Sequence, residues 1–139
     1  MNNDQRLCLV PFSELLDRLT ILQIKEILVS ESRTSFSEEM RRLIQDINLT
    51  IEEKGGRLTA RFIRLIIVLA QINLHIWHAK DIMMSEPDRF EECMKLAHQL
   101  NGIRNQVKNI LLEEAGFTDT TGKRTNINTD NLVGWNFSL

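Results

Sequence analysis

The sequence predicts an all-α chain folded as an antiparallel four-helix bundle with an irregular C-terminal tail. Three observations carry this. Residues 58–84 hold Phe62, Ile63, Leu65, Ile66, Ile67, Val68, Leu69, Ile72, Leu74, Ile76 and Trp77, too many apolar side chains for one helical stripe, so this helix is expected to be the central post of the bundle. Other stretches repeat apolar residues at i, i+3, i+4 and i+7. Serine, glycine and proline cluster at 30–37, 55–56, 85–88 and 116, dividing the chain into four helical lengths.

The first helix is expected to open at Pro11, Phe12 and Ser13, with Ser13 as N-cap and Glu14 and Asp17 favourably placed against the helix dipole. Its apolar set, from Leu15 to Leu28, again exceeds one stripe and implies several neighbours. Ser35 and Glu38 have the spacing of a capping box for the second helix. There Met40, Leu43, Ile44, Ile47 and Ile51 form one apolar face, and Gly55 with Gly56 supplies the stop. After the third helix, Pro87 fits the first turn of the fourth, which carries Cys93, Leu100, Val107 and Leu111 and should end at Gly116. The bundle domain is thus placed at residues 11–117. Residues 118–139 form the tail, whose Leu132, Val133, Trp135, Phe137 and Leu139 suggest docking on the bundle or on a neighbouring subunit.

Composition bounds the function classes. With 17 Lys plus Arg against 19 Asp plus Glu, the net charge of -2 lacks the basic excess of a nucleic-acid binder. Cys8 and Cys93 are distant and lack metal-ligand spacing, so a disulfide framework or structural zinc is not expected and a reducing, cytoplasmic setting is the default. The polar start, followed by only Leu7 to Val10 before Pro11, is too short for a secretory leader. The longest unbroken apolar run, residues 65–70, falls short of a membrane span.

No catalytic motif or nucleotide loop stands out, and no cofactor is expected. His75, His78 and Asp81 offer a weak metal-ligand string on the third helix, without a partner motif on another helix. Glu14 and Asp17 resemble half of an acidic magnesium site, but the facing helix is expected to bring Arg57, Arg61 and Arg64, which favours ion pairs. The polar residues inside apolar stripes are more specific. Arg104 lies in line with Leu100 and Val107, Asn101 is three residues before it, and Asn73 projects among core positions. Such a charge must be paired or reach water. A satisfied layer fixing helix register is the first expectation; a small anion or sugar pocket using Gln23, Glu26, Asn73, Asn101 and Arg104 is the alternative. Counting residues from the turns places Glu26 opposite Arg104 as its counter-ion.

Glu14 to Lys25 (ELLDRLTILQIK), Ile76 to Asp81 (IWHAKD) and Leu100 to Arg104 (LNGIR) with Lys108 resemble a family of small uncharacterised all-helical bacterial proteins over residues 11–114. Members often carry an acidic pair after the tryptophan segment; Lys80 replaces the first acid here and Asp81 remains. Some relatives lie beside glycosyltransferase genes of envelope polysaccharides, so the resemblance implies a pathway and not a reaction. The resulting expectation is a non-enzymatic interaction or scaffold protein, forming a homo-oligomer or meeting a protein partner. An enzyme or binding protein for an anionic nucleotide or sugar is the alternative.

Overall fold

Proline fixes the backbone at position 11 and so sets the start of the first helix. In the computed structural model, which describes residues 10–29, 33–55 and 58–116, α1 spans Phe12–Leu28. The Pro11 carbonyl accepts the amides of Glu14 and Leu15 at 3.0 and 3.2 Å. Ser13 is therefore not the N-cap: it lies inside the first turn and is buried, while Phe12 enters the helix to stack on Phe62 with ring centroids 6.2 Å apart. Packing of that ring draws the helix start forward.

Helix α2 is Arg33–Lys54. Because it begins before Ser35, the expected capping box does not form, and Glu38 instead receives Arg41 at 2.7 Å and Arg42 at 3.3 Å along its own helix. The expected stop is present: Gly55 adopts φ 63°, the left-handed region open to glycine, and its amide reaches the Ile51 carbonyl at 2.9 Å.

Helix α3, Ala60–Ser85, starts at Thr59, whose hydroxyl oxygen accepts the Phe62 amide at 3.0 Å and donates to Glu114 at 2.7 Å. Pro87–Arg89 then forms a single 3-10 turn, so α4 proper is Phe90–Ala115, slightly later than the proline alone suggests. It ends as expected on left-handed Gly116, with φ 74°. Phe117 and the tail expectation lie outside the described residues.

The four helices share one apolar core, and no strand occurs among the described residues. Thr59 meeting Glu114 shows α4 antiparallel to α3, and Glu14 with Lys108 beside Asp17 with Arg104 shows α1 antiparallel to α4. The most extensive packing joins α3 and α4, but α1 is the helix that approaches all three others. Among the described helices, the close backbone approaches of α2 are to α1. This corrects the central-post expectation for α3. Leu65, Leu69 and Ile72 are fully buried, whereas Ile63, Ile67 and Leu74 remain 46%, 53% and 38% exposed. Likewise Leu43, Ile47 and Thr50 face inward on α2, while Ile44 and Ile51 do not. By length and mean hydropathy, 1.4 over its most apolar stretch, α3 matches a membrane span, a measure the longest unbroken run does not capture; 44% of that stretch is buried inside the bundle.

The Thr59 contacts tie the start of α3 to the end of α4. Thr59→Ala removes both, and we expect a loss of about 1–2 kcal/mol in urea denaturation, with Thr59→Ser restoring most of it.

Candidate functional site

The polar layer assembles around an acid. Asp17 is 2% exposed on the face of α1 that meets α3 and α4. Its side chain accepts the Asn73 amide at 2.8 Å and Arg104 Nε at 3.0 and 3.2 Å, with Arg104 Nη2 closing a second contact on the same carboxylate. Lys108 Nζ stands 3.4 Å from Asp17 Oδ2 and 2.6 Å from Glu14 Oε1. Thr20 donates its hydroxyl to the Asp17 backbone carbonyl at 2.8 Å and accepts Asn73 Nδ2 at 2.7 Å. Asn101 accepts Arg104 Nη1 at 3.1 Å, holding the guanidinium flat between helices.

Formal charges in this cluster cancel, two acids against two bases. Burial alone pushes the Asp17 carboxyl upward, but the Arg104 guanidinium, the Asn73 amide and the Lys108 ammonium together outweigh it and hold the group below the ordinary aspartate value of 3.8. No buried side-chain nitrogen or oxygen among the described residues lacks a partner. The layer consequently works as a lock between three helices.

Of the five residues singled out from the sequence, the structure brings Asn73, Asn101 and Arg104 together. Gln23 and Glu26 sit elsewhere: Gln23 Nε2 donates to Glu26 Oε1 at 3.3 Å on the solvent side of α1. Glu26 is therefore not the counter-ion of Arg104. Helix α1 starts level with Phe62, and the acid facing Arg104 is Asp17, nine residues or about 14 Å back along the helix from Glu26. The cations that pair with Glu14 and Asp17 among the described residues come from α4. Arg61 pairs with Glu114 at 3.0 Å, Arg64 is exposed, and Arg57 lies outside the described residues. Lys108 escaped notice as a layer residue, although Asn101, Arg104 and Lys108 recur at helical spacing along one face.

His75, His78 and Asp81 are all exposed on α3, and no three His, Cys, Asp or Glu side chains among the described residues converge as a metal site. Cys93 is a free, buried thiol in the α4 packing face. Beside the lock, α3 and α4 alone line a cleft of about 310 Å³ that Arg104 and Asn101 reach from within. No protein-family model matches this chain, nor does any curated protein or solved structure.

Two measurements test the lock. In a double-mutant cycle, Asp17→Ala should cost about 3–5 kcal/mol and couple strongly to Arg104→Ala, while Glu26→Ala and Arg104→Ala should add within about 0.5 kcal/mol. Because folding depresses the Asp17 value, its stabilisation is full above pH 3.8 and is lost as pH falls below that. Acid titration of the wild type should show this loss, and Asp17→Asn should flatten that part of the profile.

Proposed function

We propose that this protein is a non-enzymatic scaffold that assembles with copies of itself through the outer face of α3. One observation carries the reading. Leu65, Leu69, Ile72, Ile76 and Ala79 recur at spacings of four and three and are buried in the bundle. A second series with the same spacing, Ile63, Ile67, Ala70, Leu74 and Trp77, is exposed or half-buried. The two series start two residues apart, which places them about 160° apart around the helix. A repeat alternating four and three is the seam along which helices interlock side chains.

The inner seam has its partner in α4 and α1, and no described helix covers the outer one, which we assign to a second copy of the chain. A second α3 offers the complementary surface by symmetry, since an isologous contact uses the same patch twice. Antiparallel pairing centred on Ala70 permits close approach there and avoids stacking Arg61 and Arg64 on their own copies. The interior charges support a structural role for the bundle itself, being occupied with one another. The free thiol of Cys93 accords with a reducing, cytoplasmic setting. The resemblance to small bacterial proteins encoded near envelope-polysaccharide glycosyltransferases suggests the pathway such an assembly serves.

Light scattering at micromolar concentration should return a multiple of the protomer mass. Ile67→Glu should give the protomer mass with unchanged helical circular dichroism, since that side chain touches solvent in the single chain. A wild-type monomer, or an Ile67→Glu oligomer like the wild type, overturns the proposal.

A further inference from the structure

The cleft between α3 and α4 has a composition that the lock does not explain. Its floor and sides are apolar: Ile76 and Met83 from α3, Met94 and Ala97 from α4. Its polar groups are Lys80, His98, Asn101 and Arg104, and none of the described lining residues is acidic. At about 310 Å³ it lies at the small end of the range for ligand sites.

Ala97 contributes only a methyl group to the lining, and the described lining residues all come from α3 and α4. Met83 and Met94 flank the gap with unbranched, polarisable side chains that adapt to varied shapes. Arg104 enters already oriented: Asp17 holds Nε and Nη2, and Asn101 holds Nη1. Each of its two terminal nitrogens carries a second hydrogen beyond those contacts. Lys80 and His98 are exposed and make no ion pair with any described residue. The cleft thus combines an apolar interior with the Lys80 charge, the His98 ring and the outer hydrogens of Arg104, whose own charge Asp17 balances from behind.

We propose that this cleft binds a small organic anion, a phosphate monoester or carboxylate carried on an apolar body. The anionic group meets Lys80, His98 and the outer hydrogens of Arg104, and the body lies along Ile76, Met83, Met94 and Ala97. Positive charge alone would hold inorganic phosphate only loosely at an exposed site, and the apolar floor alone would hold a neutral chain without orientation. The two together select a molecule with both parts. The site lies on a different face of α3 from the outer seam, so it stands or falls independently of self-association.

Calorimetric titration of the full chain tests this with octyl phosphate below its micellar concentration and adenosine monophosphate as the two candidate bodies, and with inorganic phosphate and octanol as the separated halves. We expect saturable one-site binding of at least one two-part probe, with each half at least about tenfold weaker. Lys80→Gln and His98→Gln, both at the surface, should each lower affinity about three- to tenfold. Ala97→Leu should abolish binding by filling the floor while leaving the thermal transition cooperative, and Ile67→Glu should bind like the wild type. The proposal is overturned if neither two-part probe binds, if octanol binds as tightly as octyl phosphate, or if Ala97→Leu leaves affinity unchanged.

Discussion

An ionised carboxylate cannot be left bare inside a protein, and Asp17 is the place where this chain meets that constraint. Taking a carboxylate out of water costs several kcal/mol, and only close, well-aligned partners recover it. Here the partners are distributed: Asn73 on α3 and Arg104 and Lys108 on α4, while Thr20, one turn along α1, accepts the same Asn73 amide and donates to the Asp17 backbone carbonyl. Sliding any one of the three helices by a turn would remove at least one partner from the carboxylate. Apolar side chains tolerate such slippage far better, because Leu and Ile at neighbouring turns are nearly interchangeable in what they bury. The layer therefore selects one register among packings that the core alone would leave close in energy.

Much of this architecture was legible in the sequence. The stops at Gly55 and Gly116 follow from glycine's access to the left-handed region, a property of the residue itself. Arg104, Asn101 and Asn73 were recognisable because a polar side chain in line with buried ones must be satisfied. Which acid satisfies Arg104 was not legible, since it depends on how far along α1 the helix is set, and the stacking of Phe12 on Phe62 decides that. Ser13 and Ser35 illustrate a related limit. Both are good caps in isolation, but tertiary contacts of Phe12 carry α1 past the first, and α2 is already helical before the second. The cleft was not legible either, because its lining depends on the relative register of α3 and α4, which no local sequence pattern sets.

The all-round hydrophobicity of α3 has a clear physical reading once both seams are seen. One seam is consumed in folding, and the other is left facing outward with Ile67 half in water. A helix with two opposed apolar faces has the pattern that the proposed assembly calls for. Its suitability by length and hydropathy for a bilayer comes from the same duplication, since two apolar faces raise the average while Asn73 still bonds within the polar layer.

Among the described helices, the close backbone approaches of α2 are to α1, while the α3–α4 pair is closed at its far end by Thr59, Arg61 and Glu114. The protein is thus unevenly cooperative. Detaching α2 leaves every bond to Asp17 in place, whereas separating α3 from α4 dismantles the core and the charged layer together. Amide hydrogens of α2 should exchange with solvent through small local openings, at a free energy well below that of global unfolding, and those around Leu69 and Leu100 only when the whole domain opens. Leu43 and Ile47 are what such an opening would uncover, so the cost of lifting α2 is set by the core surface those two side chains close.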